Sequence, residues 1–176
     1  MATDEARVAA SAHERAHAAQ LTNMKRTLLR SLPAFDALMS WYPLRDTVTP
    51  VLGERATLLF AHAISAGTDC LICSTFFRRI LIDGGENPDD LQLSARDEGL
   101  VALGRTLATP PHEIPDELYE RVTAGMSEQE IVALVAFGSI MLATNVFNNA
   151  LAVPLDDYLL PYRAGGPARS ARETHG

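Results

Sequence analysis

The sequence predicts an all-α helical bundle in one domain, and three observations carry that expectation. Helix-forming residues dominate the 176-residue chain, and no run shows the alternating, β-branched and aromatic pattern of a strand. Glycine and proline punctuate stretches of helical length, as at Gly67, Gly84-Gly85, Gly125 and Pro154. Helix starts are signposted: Ser127-Glu128-Gln129-Glu130 forms a capping box, and Asn87-Pro88-Asp89-Asp90 sets a cap, a first-turn proline and acids in order. A composition of 47% hydrophobic and 21% charged residues suits a globular domain with a real core.

The elements follow in order. Residues 4–30, rich in Ala and Leu with alternating charges, read as one helix. Pro33 starts a second that runs to about Tyr42, and Pro43 and Pro50 punctuate the connection after it. Residues 51–66 form an apolar helix ending near Gly67. Gly67-Thr68-Asp69 then breaks the chain and offers two cap residues, so Cys70-Leu71-Ile72-Cys73 opens the next helix, which stops at Asp83-Gly84-Gly85. A short helix after Asn87 leads to a longer one over Ser94–Ala108. A loop at Pro110-Pro111-His112 precedes a helix from Pro115 to Thr123. The long apolar helix from Ser127 ends before Pro154, and Leu155–Tyr162 is a short terminal piece. The domain spans residues 5–162, and the Gly-, Pro- and Arg-rich tail 163–176 is expected to be disordered.

Charge and composition exclude several roles. A net charge of −7 disfavours nucleic acid as a partner. The first thirty residues carry eight charged side chains and no apolar run of signal-peptide length. Ile131–Val153 lacks charge and could span a bilayer, but Asn145, Asn148, Asn149, Ser139 and Thr144 interrupt it, and amides are costly in lipid. A helix buried in the core or in a subunit interface is expected there, and no membrane. Two cysteines are too few for a secreted disulfide scaffold, so a reducing cytoplasm is the expected compartment.

Cys70 and Cys73 are the two cysteines of the chain, one helical turn apart. That spacing serves a disulfide, a shared metal, or a nucleophilic thiol with a resolving partner. One CxxC cannot supply the four ligands of structural zinc, and His13, His17, His62, His112 and His175 are scattered, so no metal is expected. No glycine-rich phosphate loop implies an organic cofactor. Two inert, buried cysteines are the plain alternative. A helix start favours a thiolate, whereas Phe76 and Phe77 make the surroundings dry and oppose it. Trp41 and Tyr42 either line a pocket or pack in the core. Arg78 and Arg79 either hold an anion or face solvent or an ion pair at an interface, the latter being expected. The Asn145, Asn148, Asn149 cluster is expected to form a hydrogen-bond network rather than to act in catalysis.

The order of these features resembles the alkylhydroperoxidase D (AhpD)-like proteins of the carboxymuconolactone decarboxylase superfamily. The resemblance rests on the apolar helix, the Gly67-Thr68-Asp69 break, the CxxC at a helix start and Asp83-Gly84-Gly85. Ser94-Ala95-Arg96-Asp97, Pro115-Asp116-Glu117, Gly125-Met126-Ser127 and the segment Asn145–Pro154 add to it, over roughly residues 33–160. It implies an AhpD-like all-α bundle that forms homo-oligomers. It also implies a peroxidase in which one cysteine becomes a sulfenic acid and the other condenses with it to a disulfide, later reduced by an unidentified thiol. A glutamate twelve residues before the first cysteine and a histidine four after the second relay the proton in that family. Here those positions hold Leu58 and Phe77. Glu54 and His62 flank Leu58 by one turn on the same stripe, and His62, with Glu54 behind it, is the candidate replacement base. The expected function is a CxxC thiol oxidoreductase acting on a peroxide or another small molecule through Cys70 and Cys73. The alternatives are a non-peroxidatic member binding a small ligand in an apolar pocket, and a decarboxylase or isomerase of a small cyclic acid using His62 and an arginine.

Overall fold

The computed structural model describes residues 3–18 and 20–164. The disorder expected of the tail falls, from residue 165 on, outside the described residues. Among those described the chain is all-α, with nine helices and no strand. They are α1 (Asp4–His17), α2 (Asn23–Leu28), α3 (Leu32–Met39), α4 (Trp41–Leu52) and α5 (Glu54–Gly67). Then come α6 (Leu71–Asp83), α7 (Ala95–Ala108), α8 (Asp116–Thr123), α9 (Glu128–Ala150) and a closing 3-10 helix, Asp157–Tyr162.

Several boundaries differ from expectation for local reasons. The single helix expected over residues 4–30 is broken: Ala18 turns left-handed at φ 45°, and the Thr22 hydroxyl accepts the Lys25 N–H at 3.4 Å to start α2. Pro43 and Pro50 do not punctuate a connection, because both lie inside α4. Pro43 is its third residue, where a helix leaves N–H groups unpaired anyway, and Pro50 stands two residues from its end. The break falls instead at Gly53, whose φ of 89° suits glycine, so the next helix starts at Glu54. Asn87-Pro88-Asp89-Asp90 makes a turn and no helix: the Asn87 side chain accepts the Asp89 N–H at 3.1 Å, and its carbonyl accepts the Asp90 N–H at 3.0 Å. The capping box at Ser127 forms as its spacing requires.

The hub is α5, which packs on α4, α6, α7 and α9. Phe60 and Ile64 from α5 and Phe137 from α9 are wholly buried, with the Phe60 and Phe137 ring centroids 6.1 Å apart. The approach of α7 to α5 requires Gly104, where a Cβ would sit 2.8 Å from the Phe60 carbonyl oxygen. Arg55 ties α5 to the loop before α7, pairing at 2.7 Å with both Glu86 and Asp97.

The long helix α9 is apolar and long enough to cross a membrane by length and composition. One side, with Leu134, Phe137, Met141 and Asn145, faces the core. The other leaves Val132 68% and Val146 57% exposed. The same arrangement carries Asn148 onto the start of α6, where the cysteines lie.

Candidate functional site

The CxxC sits at the first turn of α6, as its flanking residues predict, but with the caps shifted by one or two positions. Thr68 ends α5, Asp69 takes a positive φ of 50°, and Cys70 is itself the N-cap of α6. Asp69 therefore makes the turn that lets Cys70 enter extended. Cys73 is the third residue of α6. The cysteines are reduced, buried and 3.4 Å apart, longer than the about 2.05 Å of a disulfide bond.

The pair divides its chemistry unequally. The Cys70 thiol is lowered to about 7, first by the hydrogen bond that its thiolate accepts from the Cys73 thiol, against the opposing effect of its own burial. The Cys73 and Ile72 N–H groups and Asn148 also favour the Cys70 thiolate. Neither N–H closes a well-formed cap hydrogen bond to the sulfur, so their contribution is that of oriented dipoles. Cys73 is raised, because its S–H is the donor in the shared bond and because it is buried. Asn148 Nδ2 donates to Cys73 Sγ at 3.3 Å and lies 3.9 Å from Cys70 Sγ. One proton is thus shared between two sulfurs, and an amide N–H within reach of both favours negative charge on either.

Access separates the two thiols. Cys70 is fully buried, whereas Cys73 lines a cavity of about 570 Å³. That volume falls in the range of about 300–1,000 Å³ common for small-molecule sites. Trp41 and Tyr42, expected to pack in the core, line it together with Met24, Phe76, Phe77 and Met141, and Trp41 also packs against the main core. Arg79 also lines the cavity, while its neighbour Arg78 pairs with Asp89. Lys25 reaches the Tyr42 hydroxyl at 3.0 Å and is lowered to about 8, mainly by burial. Asp156 lines the same cavity; its Oδ1 accepts the Asn23 N–H at 2.8 Å, and burial raises its pKa.

The structure brings together Cys70 and Cys73 and places Glu54 and His62 elsewhere. Glu54 is exposed in the first turn of α5. His62 is half-buried, and its charged neighbours are Arg78, Asp89 and Arg105; burial first, then Arg78, lowers its pKa. Neither residue lines the cavity, and neither is hydrogen-bonded to a thiol. Leu58 packs against the core, and Phe77 is buried in it while edging the cavity.

Sequence reasoning missed Asn148 as the polar partner of the thiols, and Lys25, Arg79 and Asp156 as cavity residues. A signal for Asn148 existed: a buried amide in the charge-free stretch Ile131–Val153 must find a specific partner. Its neighbours found theirs within the chain. Asn145 Nδ2 donates to the Thr68 hydroxyl at 2.9 Å and Asn149 Nδ2 to the Thr68 carbonyl at 2.9 Å, so both amides hold the turn that precedes the CxxC. No signal in the sequence marked Lys25, since its placement depends on how α2 closes over α6, and Arg79, expected in solvent or an interface ion pair, lines the cavity instead. Among the described residues, no group of three His, Cys, Asp or Glu side chains is arranged to hold a metal ion.

Fold and site together define an all-α protein with two unbonded cysteines of a CxxC at a helix start, Cys73 lining a cavity of small-molecule size. No protein-family model matches the chain, and no curated protein matches it.

Proposed function

We propose that the protein is a CxxC thiol oxidoreductase that reduces peroxides through a Cys70–Cys73 dithiol/disulfide cycle, in the manner of the alkylhydroperoxidase D-like proteins it resembles. The observation that carries this reading is the pair itself: two unbonded sulfurs 3.4 Å apart, with Cys73 on the cavity wall.

The chemistry balances within the pair. Cys73 passes its proton to the Cys70 thiolate and becomes the nucleophile, its charge supported by Asn148 Nδ2 at 3.3 Å. The Cys73 thiolate attacks the terminal, hydrogen-bearing oxygen of a hydroperoxide; the O–O bond breaks, leaving a Cys73 sulfenic acid and an alkoxide. The alkoxide takes the proton now on Cys70 and departs as the alcohol. The Cys70 thiolate displaces hydroxide from the sulfenic sulfur, closing the disulfide, and a solvent proton converts hydroxide to water. Two further thiols, from an external reductant, restore the dithiol. The partner cysteine thereby supplies the proton that a glutamate–histidine relay supplies in the family, a task for which Leu58 and Phe77 have no group. The reading also takes a second copy of this chain as partner, seated on the exposed apolar face of α9.

Brief exposure of the reduced protein to one equivalent of alkyl hydroperoxide, followed by intact mass, tests the reading. A rapid loss of about 2 Da is expected, at a rate that rises with pH as the thiolate forms. Thiols that stay reduced, or oxidise no faster than free cysteine, defeat it. The burial of Cys70 and the apolar residues at Leu58 and Phe77 favour a second reading, a non-peroxidatic ligand-binding protein. Inert thiols together with a ligand-induced rise in melting temperature would establish that one.

A further inference from the structure

Two cations in the cavity wall have no carboxylate within ion-pairing distance among the described residues. The guanidinium of Arg79 lies between the rings of Phe76 and Tyr158, 5.6 and 5.3 Å from their centroids. Its Nε is buried with no hydrogen-bond partner. Lys25 is only 6% exposed, and its ammonium donates to the Tyr42 hydroxyl and to the Gln20 carbonyl, at 3.0 and 3.2 Å. Neutral oxygens satisfy its hydrogen bonds, and the nearest negative charges, Glu14 and Asp156, act on it only from beyond ion-pairing distance, so burial still lowers its pKa. The neighbouring cations are already committed, Arg45 to Asp46 and Arg26 to Asp156. Asp156 is the carboxylate of this wall, and it is held by the Asn23 N–H and by Arg26, on the far side of an ion-pairing distance from Lys25. Lys25, Arg79 and the two tyrosines they touch, Tyr42 and Tyr158, all line this one cavity. The remaining surface is apolar and adaptable, with Met24, Met39, Met141, Leu38 and Trp41.

We propose that this cavity binds an alkyl carboxylate, its head group held by Arg79 and Lys25 and its chain laid along the methionine and aromatic lining beside Cys73. The planar guanidinium presents a fork that matches a carboxylate, and the ammonium adds a point charge. If the peroxidase reading holds, the substrate class is the hydroperoxide of such an acid. The acid site itself does not depend on that reading.

Trp41, the single tryptophan of the chain, lines the cavity and reports binding by its fluorescence. Titration of the full chain with decanoate and with decanol compares one chain length with and without the charge. Decanoate is expected to bind roughly ten- to a hundredfold more tightly, the range for hydrogen bonds to charged groups. Arg79→Gln should remove most of that preference while leaving decanol affinity unchanged. Equal affinities for decanoate and decanol in the native protein overturn the proposal, with no variant needed. A preference that survives in a folded Arg79→Gln protein overturns the assignment of the head group to Arg79. Oxidation of the thiols by peroxide without decanoate binding sinks this inference and leaves the peroxidase reading standing. Decanoate binding with inert thiols does the reverse.

Discussion

Replacing Asn148 with leucine removes a side-chain N–H that lies 3.3 Å from Cys73 Sγ and 3.9 Å from Cys70 Sγ. A hydrogen bond to a charged group contributes about 1.5–3 kcal/mol, which corresponds to roughly one to two pKa units. Asn148 stands 3.9 Å from Cys70 and behind Cys73 among the causes of its shift, so the Cys70 thiol, now lowered to about 7, should rise toward about 8, the low end of that range. At pH 7 the thiolate share falls from about half to about a tenth. Folding stability should hardly change. Asn148 is 2% exposed, and its Oδ1 is buried without a hydrogen-bond partner among the described residues, so an isosteric leucine also removes an unsatisfied acceptor. Thiolate ultraviolet absorbance across pH is the assay of choice, because Cys70 is too buried for an alkylating probe to report its charge alone. A titration midpoint that does not move in the folded Asn148→Leu protein would refute the argument that this amide supports the thiolate. A midpoint that moves with a large loss of stability would show instead that Asn148 acts through the packing of α9 on α6.

Three further outcomes follow from the same geometry. Cys70→Ser should stop disulfide closure and leave a sulfenic acid on Cys73 that a dimedone-type reagent traps, whereas Cys73→Ser should react with peroxide far more slowly, since Cys70 is fully buried; equal trapping in both variants would remove the assignment of roles. Val146→Glu on the exposed side of α9 should dissociate a homo-oligomer in sedimentation at unchanged helicity, and a native protein already monomeric would end the proposal of a second copy. His13 packs among Phe35, Tyr42 and His17, and burial, then Lys25, then His17 hold it at about 4 instead of 6.5. The unfolded chain takes up its proton near 6.5 and the folded one only near 4, so stability falls as pH drops through that window, by up to about 3 kcal/mol. Urea unfolding at neutral pH and near pH 4 measures the loss, and a His13→Gln protein should show a flatter dependence.

The proposed cycle needs a proton source, and the sulfurs themselves can supply it. A thiol with a lone partner in a dry site would be a weak nucleophile, since burial raises its pKa. Setting one sulfur at the N-cap and the other at the third position lets the first accept from the second and share its proton. On the proposed peroxidase reading no separate acid is required at Leu58 or Phe77, which pack instead, Phe77 in the main core and Leu58 against it.

Local chemistry was legible in the sequence where local chemistry decides. Helix content, the capping box at Ser127, the stops at Gly67 and Gly84, and the helix-start position of the CxxC all follow from propensities and caps that act within a few residues. The same rules misplaced Pro43 and Pro50, because a proline near a helix end loses little and packing of α4 on α9 outweighs it. The cavity belongs to the tertiary structure alone. Cys73 comes from α6, Lys25 from α2, Trp41 and Tyr42 from α4, Arg79 from the second turn beyond the cysteine, and Asp156 from the edge of the 3-10 helix. Nothing in their separate sequence neighbourhoods states that they converge. Asn148 meets Cys73, seventy-five residues away in the chain, through the packing of α9 on α4, α5 and α7. The spacing of two cysteines determined that a redox pair was chemically available; which sulfur holds the charge, which one a small molecule meets, and what surrounds it were decided by the packing of helices distant in the chain.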